Sequence, residues 1–240
     1  MAATRAHKPS ETMSKAAPDE VYDPRTVLKR AMMIYNSELA SLRIKAIIVL
    51  RTISLMRSSD VAAISRRSIR FTKDILGRPI LAFRYVGKKA KLLNLKYESN
   101  YIEASSDTNC PTQAIWTLKL TVDSLAGENH DELIPSLTNR KASIGAERIA
   151  KLALHFIHGS GISNSFKAHS LRSMTSELLE ALNVPSEEID KRGGWSSQNN
   201  KNSRVRKENY SSKVTLTNFA NILLSTAIEH QQQPDVSKVL

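Results

Sequence analysis

A histidine and an arginine three positions apart form the first pair in this sequence whose types could do chemistry. They are His169 and Arg172, in the run Lys-Ala-His-Ser-Leu-Arg. Residues three apart share one face of a helix, so a helix here would direct both side chains at one point. An arginine can pair with two phosphate oxygens while an imidazole holds or moves a proton, which suits a phosphodiester. By itself, H-x-x-R is more often a surface pair.

A tyrosine further along the chain could act as a nucleophile. Tyr210 is the only tyrosine after Tyr101. Four cations are close to it in sequence: Arg204, Arg206, Lys207 and Lys213. Nearby positive charges make a phenol lose its proton more easily, and a nucleophile requires this. The alternative interpretation is an amphipathic tyrosine on a basic surface.

Two basic residues upstream occupy positions that suit a site. Arg57 stands between a long apolar stretch and the helix-capping cluster Ser58-Ser59-Asp60, so its side chain would be fixed while its guanidinium faces a cleft. Lys88 lies in the segment 86–91, Val-Gly-Lys-Lys-Ala-Lys, which predicts a tight β-hairpin with a basic tip for a nucleic-acid groove. This Gly-Lys is not a phosphate-binding P-loop, because no glycine stands five residues before Gly87 and no Ser or Thr follows Lys88.

The charge of the chain indicates a class of partner. Its 240 residues include 35 Lys and Arg against 23 Asp and Glu, a formal net charge of +12. Residues 43–91 hold thirteen Lys or Arg and two acids, and residues 191–213 hold seven and one. Each segment alone would be a solvated basic face, but both contain candidate catalytic residues, which favours nucleic acid as the partner. RNA is disfavoured, because the sequence has no RNP-type aromatic pair and only 5% aromatic residues.

Composition excludes several classes of protein. One cysteine, Cys110, allows neither an internal disulfide nor a zinc site built from cysteines. The pair His155 and His158 lacks nearby acidic or cysteine partners, so we expect a structural role for it and no metal or other cofactor. The longest apolar run, 46–50, is ended by Arg51, and the N-terminus lacks a signal-peptide core. We therefore expect no membrane partner and no secretion, with the protein nuclear in a eukaryote and otherwise cytoplasmic.

The elements that must position these residues are predicted from apolar periodicity and helix-capping residues. Residues 25–56 predict two amphipathic helices, packed as an antiparallel pair. A short helix at Val61–Ile64 is followed by three strands of a small antiparallel sheet, at 69–71, 80–86 and 91–97. Five further helices are predicted, at 111–120, 144–157, Ser165–Leu182, Ser186–Lys191 and 214–227.

The predicted fold class is α+β, mostly α, with one small antiparallel sheet. Residues 1–22 are rich in Ala, Ser, Pro and charge, which predicts a disordered N-terminal tail. Residues 23–228 form one predicted catalytic domain, and 229–240 a polar C-terminal tail. The basic stretch 199–207 is predicted to be an exposed loop.

The candidate residues, taken in order, resemble the catalytic signature of the tyrosine recombinase (phage integrase) family. They are Arg57, Lys88, His169-x-x-Arg172, Gly194-Trp195 and Tyr210. The resemblance extends from about residue 43 to about residue 228 and includes Asp60, the acidic residue three places after the first arginine. The amino-acid sequences of segments 56–61 and 193–196 are similar to those of enzymes from eukaryotic mobile elements, such as the retrotransposon-borne and Crypton-like branches.

The resemblance implies a role for each residue. Tyr210 would attack a DNA phosphate and form a 3′-phosphotyrosyl link, while Arg57 and Arg172 would clamp the non-bridging oxygens. Lys88 would give a proton to the departing 5′ oxygen, with its neighbours on the hairpin as alternatives. His169 would accept or donate a proton, and Trp195 would pack against it and give one N–H hydrogen bond. Metal is not required, because these cations supply the positive charge. Further contacts to double-stranded DNA are expected from Lys89, Lys91, Lys201, Arg204, Arg206 and Lys207.

The sequence departs from the family pattern in two ways. The gap between Trp195 and Tyr210 is several residues longer than usual. The region before Arg25 is too short for the N-terminal helical domain that closes a clamp around DNA in the family, so we expect a catalytic domain alone, by nature or as a fragment. The resemblance implies site-specific recombination or integration of a mobile element by a tetramer on DNA. The C-terminal helix would dock on a neighbouring subunit or on its own core.

Two other functions remain open at this level. A type IB topoisomerase has a similar fold and the same chemistry, but relaxes supercoils as a monomer. A catalytically silent DNA-binding module would need the basic surface but not Tyr210.

Overall fold

A three-stranded antiparallel sheet and eight helices make up the part of the chain that the computed structural model describes, residues 21–35, 38–87, 97–105, 110–139, 141–195 and 217–225. The helices are α1 (Pro24–Met33), α2 (Leu39–Ile53), α3 (Ser58–Ala62), α4 (Pro111–Ala126), α5 (Ala146–Gly159), α6 (Ser170–Ala181), α7 (Ser186–Gly193) and α8 (Phe219–Ser225). The strands are β1 (Ile64–Lys73), β2 (Pro79–Tyr85) and β3 (Glu98–Glu103), in the order β1-β2-β3. The predicted class, mostly α with one small antiparallel sheet, is confirmed.

The central element is α2, which contacts α1, α4, α5, α6 and α8. A helix that is apolar on all sides is stable only when it is covered on all sides. The segment Ala46–Leu50 is completely buried, and so is Ile53. The predicted pair of N-terminal helices is confirmed as α1 and α2, which pack on each other. Among the described residues, no helix is long and apolar enough to cross a membrane.

The sheet lies beside this core with one face inward. In β2, Leu81, Phe83 and Tyr85 are buried, whereas the alternate residues Ala82 and Arg84 are only partly covered. This is the two-residue alternation of a strand with one buried face. β2 therefore fixes which side chains of the sheet face the helices.

The third strand is not where the sequence predicts it. Tyr97 lies outside any strand, Lys91–Lys96 are outside the described residues, and the strand that pairs with β2 is β3, with Ile80 opposite Glu103. Its polar residues made β3 unrecognisable from propensity. Tertiary contacts stabilise it instead, because Asn100 is buried and its amide donates to the carbonyl of Ser54.

Two helices begin elsewhere than predicted. α3 spans Ser58–Ala62, so Arg57 is its N-cap and Ile64 already belongs to β1. α6 begins at Ser170 instead of Ser165. The hydroxyl of Ser163 accepts a hydrogen bond from the backbone N–H of Ser165, and such local bonds compete with helix formation.

Residues near both ends of the described part of the chain pack into the core. Tyr22, the last residue of the predicted tail, is buried with its ring 4.7 Å from that of Phe166. At the other end, α8 buries Phe219, Ala220 and Leu223 in the chain's own core. Residues 1–20 and the whole predicted C-terminal tail, 229–240, lie outside the described residues.

Candidate active site

Two arginines from distant parts of the sequence lie close enough for their charges to interact. Arg172 lies in the first turn of α6 and is 8% exposed, and its Nη2 donates to the carbonyl oxygen of Gly193. Arg57 precedes α3, and 49% of its side chain is exposed. Burial, and after it the charge of Arg57, lower the pKa of Arg172 to about 10. The two positive charges therefore act on each other, and the clamping of one anion by this pair stays a prediction.

Asp60 holds Arg57 at this position. Its carboxylate accepts a hydrogen bond of 3.2 Å from the backbone N–H of Arg57, and the same oxygen is 3.9 Å from Nη1. This carboxylate is 9% exposed, whereas the Arg57 guanidinium reaches solvent. The N-cap geometry thus fixes the backbone of Arg57 and leaves its donors available.

His169 lies at the N-cap of α6 instead of inside a helix. Its backbone is nevertheless helical, with φ −76° and ψ −17°, and its carbonyl accepts the N–H of Arg172 at 3.1 Å. The His169 ring is exposed. The histidine and the arginine three positions on therefore share the first turn of α6, as a group that could move a proton beside a fixed cation.

Trp195 fixes the guanidinium of Arg172 from the other side. The centre of that guanidinium lies 4.0 Å from the centre of the Trp195 ring, a cation–π contact. The ring rests on Gly193, where an added Cβ would come within 2.2 Å of it. Gly194 ends α7 in the left-handed conformation, with φ 67°. Gly193 is therefore required because there is no room for a side chain, and Gly194 because its backbone is left-handed.

This arrangement gives a first testable prediction. Gly193→Ala is expected to displace Trp195 and lower the free energy of unfolding by about 1–3 kcal/mol, the usual cost of overpacking. The displacement is measured as a change in tryptophan fluorescence in a Trp116→Phe background. Gly159→Ala is the matched control, because nothing lies within 4 Å of a Cβ there. An unchanged Trp195 emission in Gly193→Ala would contradict the packing described.

Comparison with solved structures identifies the fold. No protein-family model matches this sequence, and no curated protein matches it either. The XerH site-specific recombinase, in a post-cleavage complex with its palindromic difH substrate, superposes with a TM-score of 0.54 at 18% identity over 73% of this chain and 45% of its own. XerA recombinase gives 0.53 at 17% over 83% and 62%, and FLP recombinase in a Holliday junction complex gives 0.51 at 16% over 83% and 49%. The chain has the fold of a tyrosine recombinase catalytic domain. It spans less than two thirds of each of these three chains.

Within this tyrosine recombinase fold, a buried ion pair anchors the helix before Trp195. Arg192 on α7 and Glu103 at the end of β3 form an ion pair in which both side chains are 0% exposed. Arg192 also donates to the carbonyl of Tyr101 and stacks on the rings of Tyr101 and Phe219, at 4.0 and 4.7 Å. Burial acts to lower the pKa of Arg192, but the charge and hydrogen bond of Glu103, together with the nearby Tyr101 and Glu188, raise it. This pair links the sheet, α7 and α8.

Sequence reasoning missed Arg51, which it treated only as the end of an apolar run. Arg51 is 2% exposed, and it donates through Nη1 to the hydroxyl of Ser58 and through Nη2 to the carbonyl of Ala168. Those acceptors are the direct neighbours of Arg57 and His169. The available signal was an arginine directly after the apolar run 46–50 within a predicted helix, where an unpaired buried charge is costly.

A second group that the sequence analysis did not single out lies on the outer face of the sheet. Arg70 of β1 and Arg84 of β2 point away from the core, and neither forms an ion pair with a described residue. The Arg84 guanidinium stacks on Tyr97 at 4.3 Å. Ser68 and Ser99 line the same shallow depression.

Several predicted site residues cannot be placed. The predicted proton donor and nucleophile, Lys88 and Tyr210, lie outside the described residues, and so do Lys89, Lys91, Lys201, Arg204, Arg206 and Lys207. Among the described residues there is no group of three His, Cys, Asp or Glu side chains that could hold a metal ion. Of the histidine pair, His158 hydrogen-bonds the carbonyl of Phe166 at 3.0 Å, a structural role, and His155 is exposed.

Proposed function

We propose that this chain breaks and rejoins DNA strands through a 3′-phosphotyrosyl intermediate, as the catalytic domain of a site-specific recombinase or of the integrase of a mobile element. The observation that carries the proposal is the convergence of Arg57 and Arg172 beside His169 in a tyrosine recombinase fold. The solved relatives in fold include XerH bound to difH substrate and FLP recombinase bound to a Holliday junction. A net charge of +12 suits a DNA partner.

The chemistry follows from the charges at the site. The Oη of Tyr210 forms a bond to phosphorus while the bond from phosphorus to the 5′ oxygen breaks, and the 5′ oxygen takes a proton from Lys88. Arg57 and Arg172 bind the two non-bridging oxygens and stabilise the negative charge of the pentacoordinate transition state. The phosphotyrosyl bond keeps the energy of the phosphodiester, so attack by a 5′ hydroxyl reverses the step and rejoins the strand.

Three features of the described site favour this transition state. Arg172 is held by the Gly193 carbonyl and by Trp195, so its donors do not need to reorganise when the charge develops. Arg57 remains half exposed and can meet a phosphate that arrives from solvent. His169, exposed at the N-cap of α6, is available to take the proton of the tyrosine.

DNA affinity would come from the basic surface around this centre. Arg70 and Arg84 lie on the sheet with no acidic partner among the described residues, so their charges are free to bind backbone phosphates. The lysines of segment 86–91 and the cations of 201–207 would extend this contact. Recombination exchanges strands between two duplexes, so we propose that the active form on DNA is a tetramer.

The experiment that tests the function detects covalent protein–DNA adducts. The full chain is incubated with supercoiled plasmid at low salt and quenched with denaturant, beside Tyr210→Phe. We expect an adduct with the natural sequence that disappears in the variant, because phenylalanine lacks the attacking oxygen. Tyr35→Phe is the matched control, since Tyr35 is 83% exposed.

The other outcomes separate the alternatives. An adduct that persists in Tyr210→Phe would refute the assignment of the nucleophile. DNA binding without an adduct from the natural sequence would refute the enzyme and favour a DNA-binding module. Where the adduct forms, exchange between two duplexes identifies a recombinase, whereas relaxation of supercoils alone identifies a topoisomerase-like activity.

A further inference from the structure

Arg51 joins the two segments that carry the candidate catalytic residues. It lies in the last turn of α2, and its two terminal nitrogens donate to Ser58 and to Ala168, which is 117 positions away in the sequence. Ser58 immediately follows Arg57, and Ala168 immediately precedes His169. One planar guanidinium therefore fixes the distance between the start of α3 and the start of α6.

The charge of Arg51 is not required by the core. Its acceptors are a hydroxyl and a carbonyl, and it forms no ion pair with a described carboxylate. Burying a guanidinium against neutral acceptors has a desolvation cost that two hydrogen bonds offset only in part. Stability alone thus gives no reason for an arginine at this position.

Arg51 also contributes to the electrostatics of the site. It lowers the pKa of Arg172, after the larger effects of burial, Arg57 and Asp60. The described centre therefore contains three guanidinium groups, of Arg51, Arg57 and Arg172, acting with the carboxylate of Asp60. A phosphate bound at this centre would neutralise part of the excess positive charge.

We propose that Arg51 is a positioning residue. It holds Arg57 and His169 at a fixed distance from each other, so that both contact the same phosphate. The catalytic consequence of this proposal rests on the proposed function. The two hydrogen bonds from Arg51 to Ser58 and Ala168, here called the bridge, can be tested without DNA. Arg51 does not touch the reacting atoms, and it acts through Ser58 and Ala168.

The chain offers a matched control on the same helix. Arg43 is 7% exposed, donates to the carbonyl of Pro135 and forms no ion pair with a described carboxylate. Its acceptor lies between α4 and α5, away from the candidate site. Arg43→Met and Arg51→Met therefore remove the same kind of buried cation, and only the second removes the bridge.

The first measurement is the rate of adduct formation at saturating DNA, together with the DNA affinity. Arg51→Met is expected to lower this rate about a hundred-fold, the effect of a misplacement of roughly 1 Å in an active site. The DNA affinity and the melting temperature of Arg51→Met are expected to match those of Arg43→Met. The cleavage rate of Arg43→Met is expected to equal that of the natural sequence. Arg51→Lys keeps the charge, but all N–H donors of lysine are on one nitrogen and cannot reach both acceptors. This variant should therefore recover the rate only in part.

The second measurement does not depend on activity. Amide hydrogen exchange is followed by NMR at Asp60 and Val61, whose N–H groups bond to the carbonyl of Arg57, and at Arg172, whose N–H bonds to that of His169. Arg51→Met should accelerate exchange at these three amides about ten-fold through local opening, and Arg43→Met should not. Ser58→Ala removes one acceptor without changing Arg51, and should affect Asp60 and Val61 alone.

The results separate the inference from the function on which it rests. An active natural chain whose rate is unchanged by Arg51→Met, or fully restored by Arg51→Lys, would overturn the bridge. If the natural chain forms no adduct, the proposed function fails, and hydrogen exchange alone tests the positioning role. Unchanged exchange rates at the three amides in both Arg51→Met and Ser58→Ala would refute that role. If Arg51→Met does not fold, Ser58→Ala and Arg51→Lys provide the same two readouts.

Discussion

Arg172→Lys is expected to slow formation of the protein–DNA adduct by about a hundred- to a thousand-fold, the usual loss when one donor to a transition-state oxyanion is removed. The guanidinium of Arg172 does three things at once: it donates to Gly193, stacks on Trp195 and lies within reach of the charge of Arg57. A lysine ammonium has no planar face to stack and cannot pair with a phosphate through two parallel bonds. The rate is measured in a single turnover with saturating DNA.

Arg148→Lys is the control for this prediction, because Arg148 is exposed on α5 and outside the site. We expect its rate to equal that of the natural sequence. DNA affinity should fall much less than the rate in Arg172→Lys, since many other cations bind the backbone. A rate within two-fold of the natural sequence for Arg172→Lys would remove Arg172 from the catalytic machinery.

Arg192→Leu is expected to lower the free energy of unfolding by about 3–5 kcal/mol, the usual cost of removing one partner of a buried ion pair. The cause is Glu103, which would remain completely buried without its counter-ion. Urea denaturation measures the loss. The double variant Arg192→Leu, Glu103→Leu should recover most of it, because no charge is then left in the core.

The pH dependence of Arg192→Leu gives a second check. An unpaired buried carboxyl has a pKa above that of the unfolded chain, so the folded state binds the extra proton and stability falls as pH rises through this interval. The variant should therefore lose least stability at low pH, near the ordinary pKa of about 4.3 for glutamate, and most at neutral pH. Equal losses at both pH values would mean that Glu103 is solvated in the variant.

The helical part of this fold could be predicted because its signals are local. In α2, apolar residues at steps of three and four define a helix whatever lies around it, and Pro111 marks the start of α4 by its fixed φ. The candidate residues could be named for the same reason, since the chemistry of Arg57, His169 and Arg172 belongs to the side chains themselves. Their order in the chain was enough to suggest a tyrosine recombinase.

The errors concern features that depend on distant partners. β3 was missed because its polar residues are stabilised by β2 and by the end of α2, which no local pattern reveals. The start of α6 was placed too early because hydrogen bonds among the serines before it replace a helical turn. Arg51 and Arg192 were not assigned roles because a cation in an apolar or helical run carries no sign of its partner.

The sequence alone determined the class of fold and the basic character of the chain, and it suggested a set of side chains for binding and attacking a phosphodiester. These follow from composition, periodicity and the chemistry of single residues. Only the tertiary structure decided that the charges of Arg57 and Arg172 interact, that Trp195 holds Arg172, and that Arg51 links their segments across 117 positions. The physical reason is that burial and pairing of charges are set by groups far apart in the chain, which meet only when the core around α2 forms.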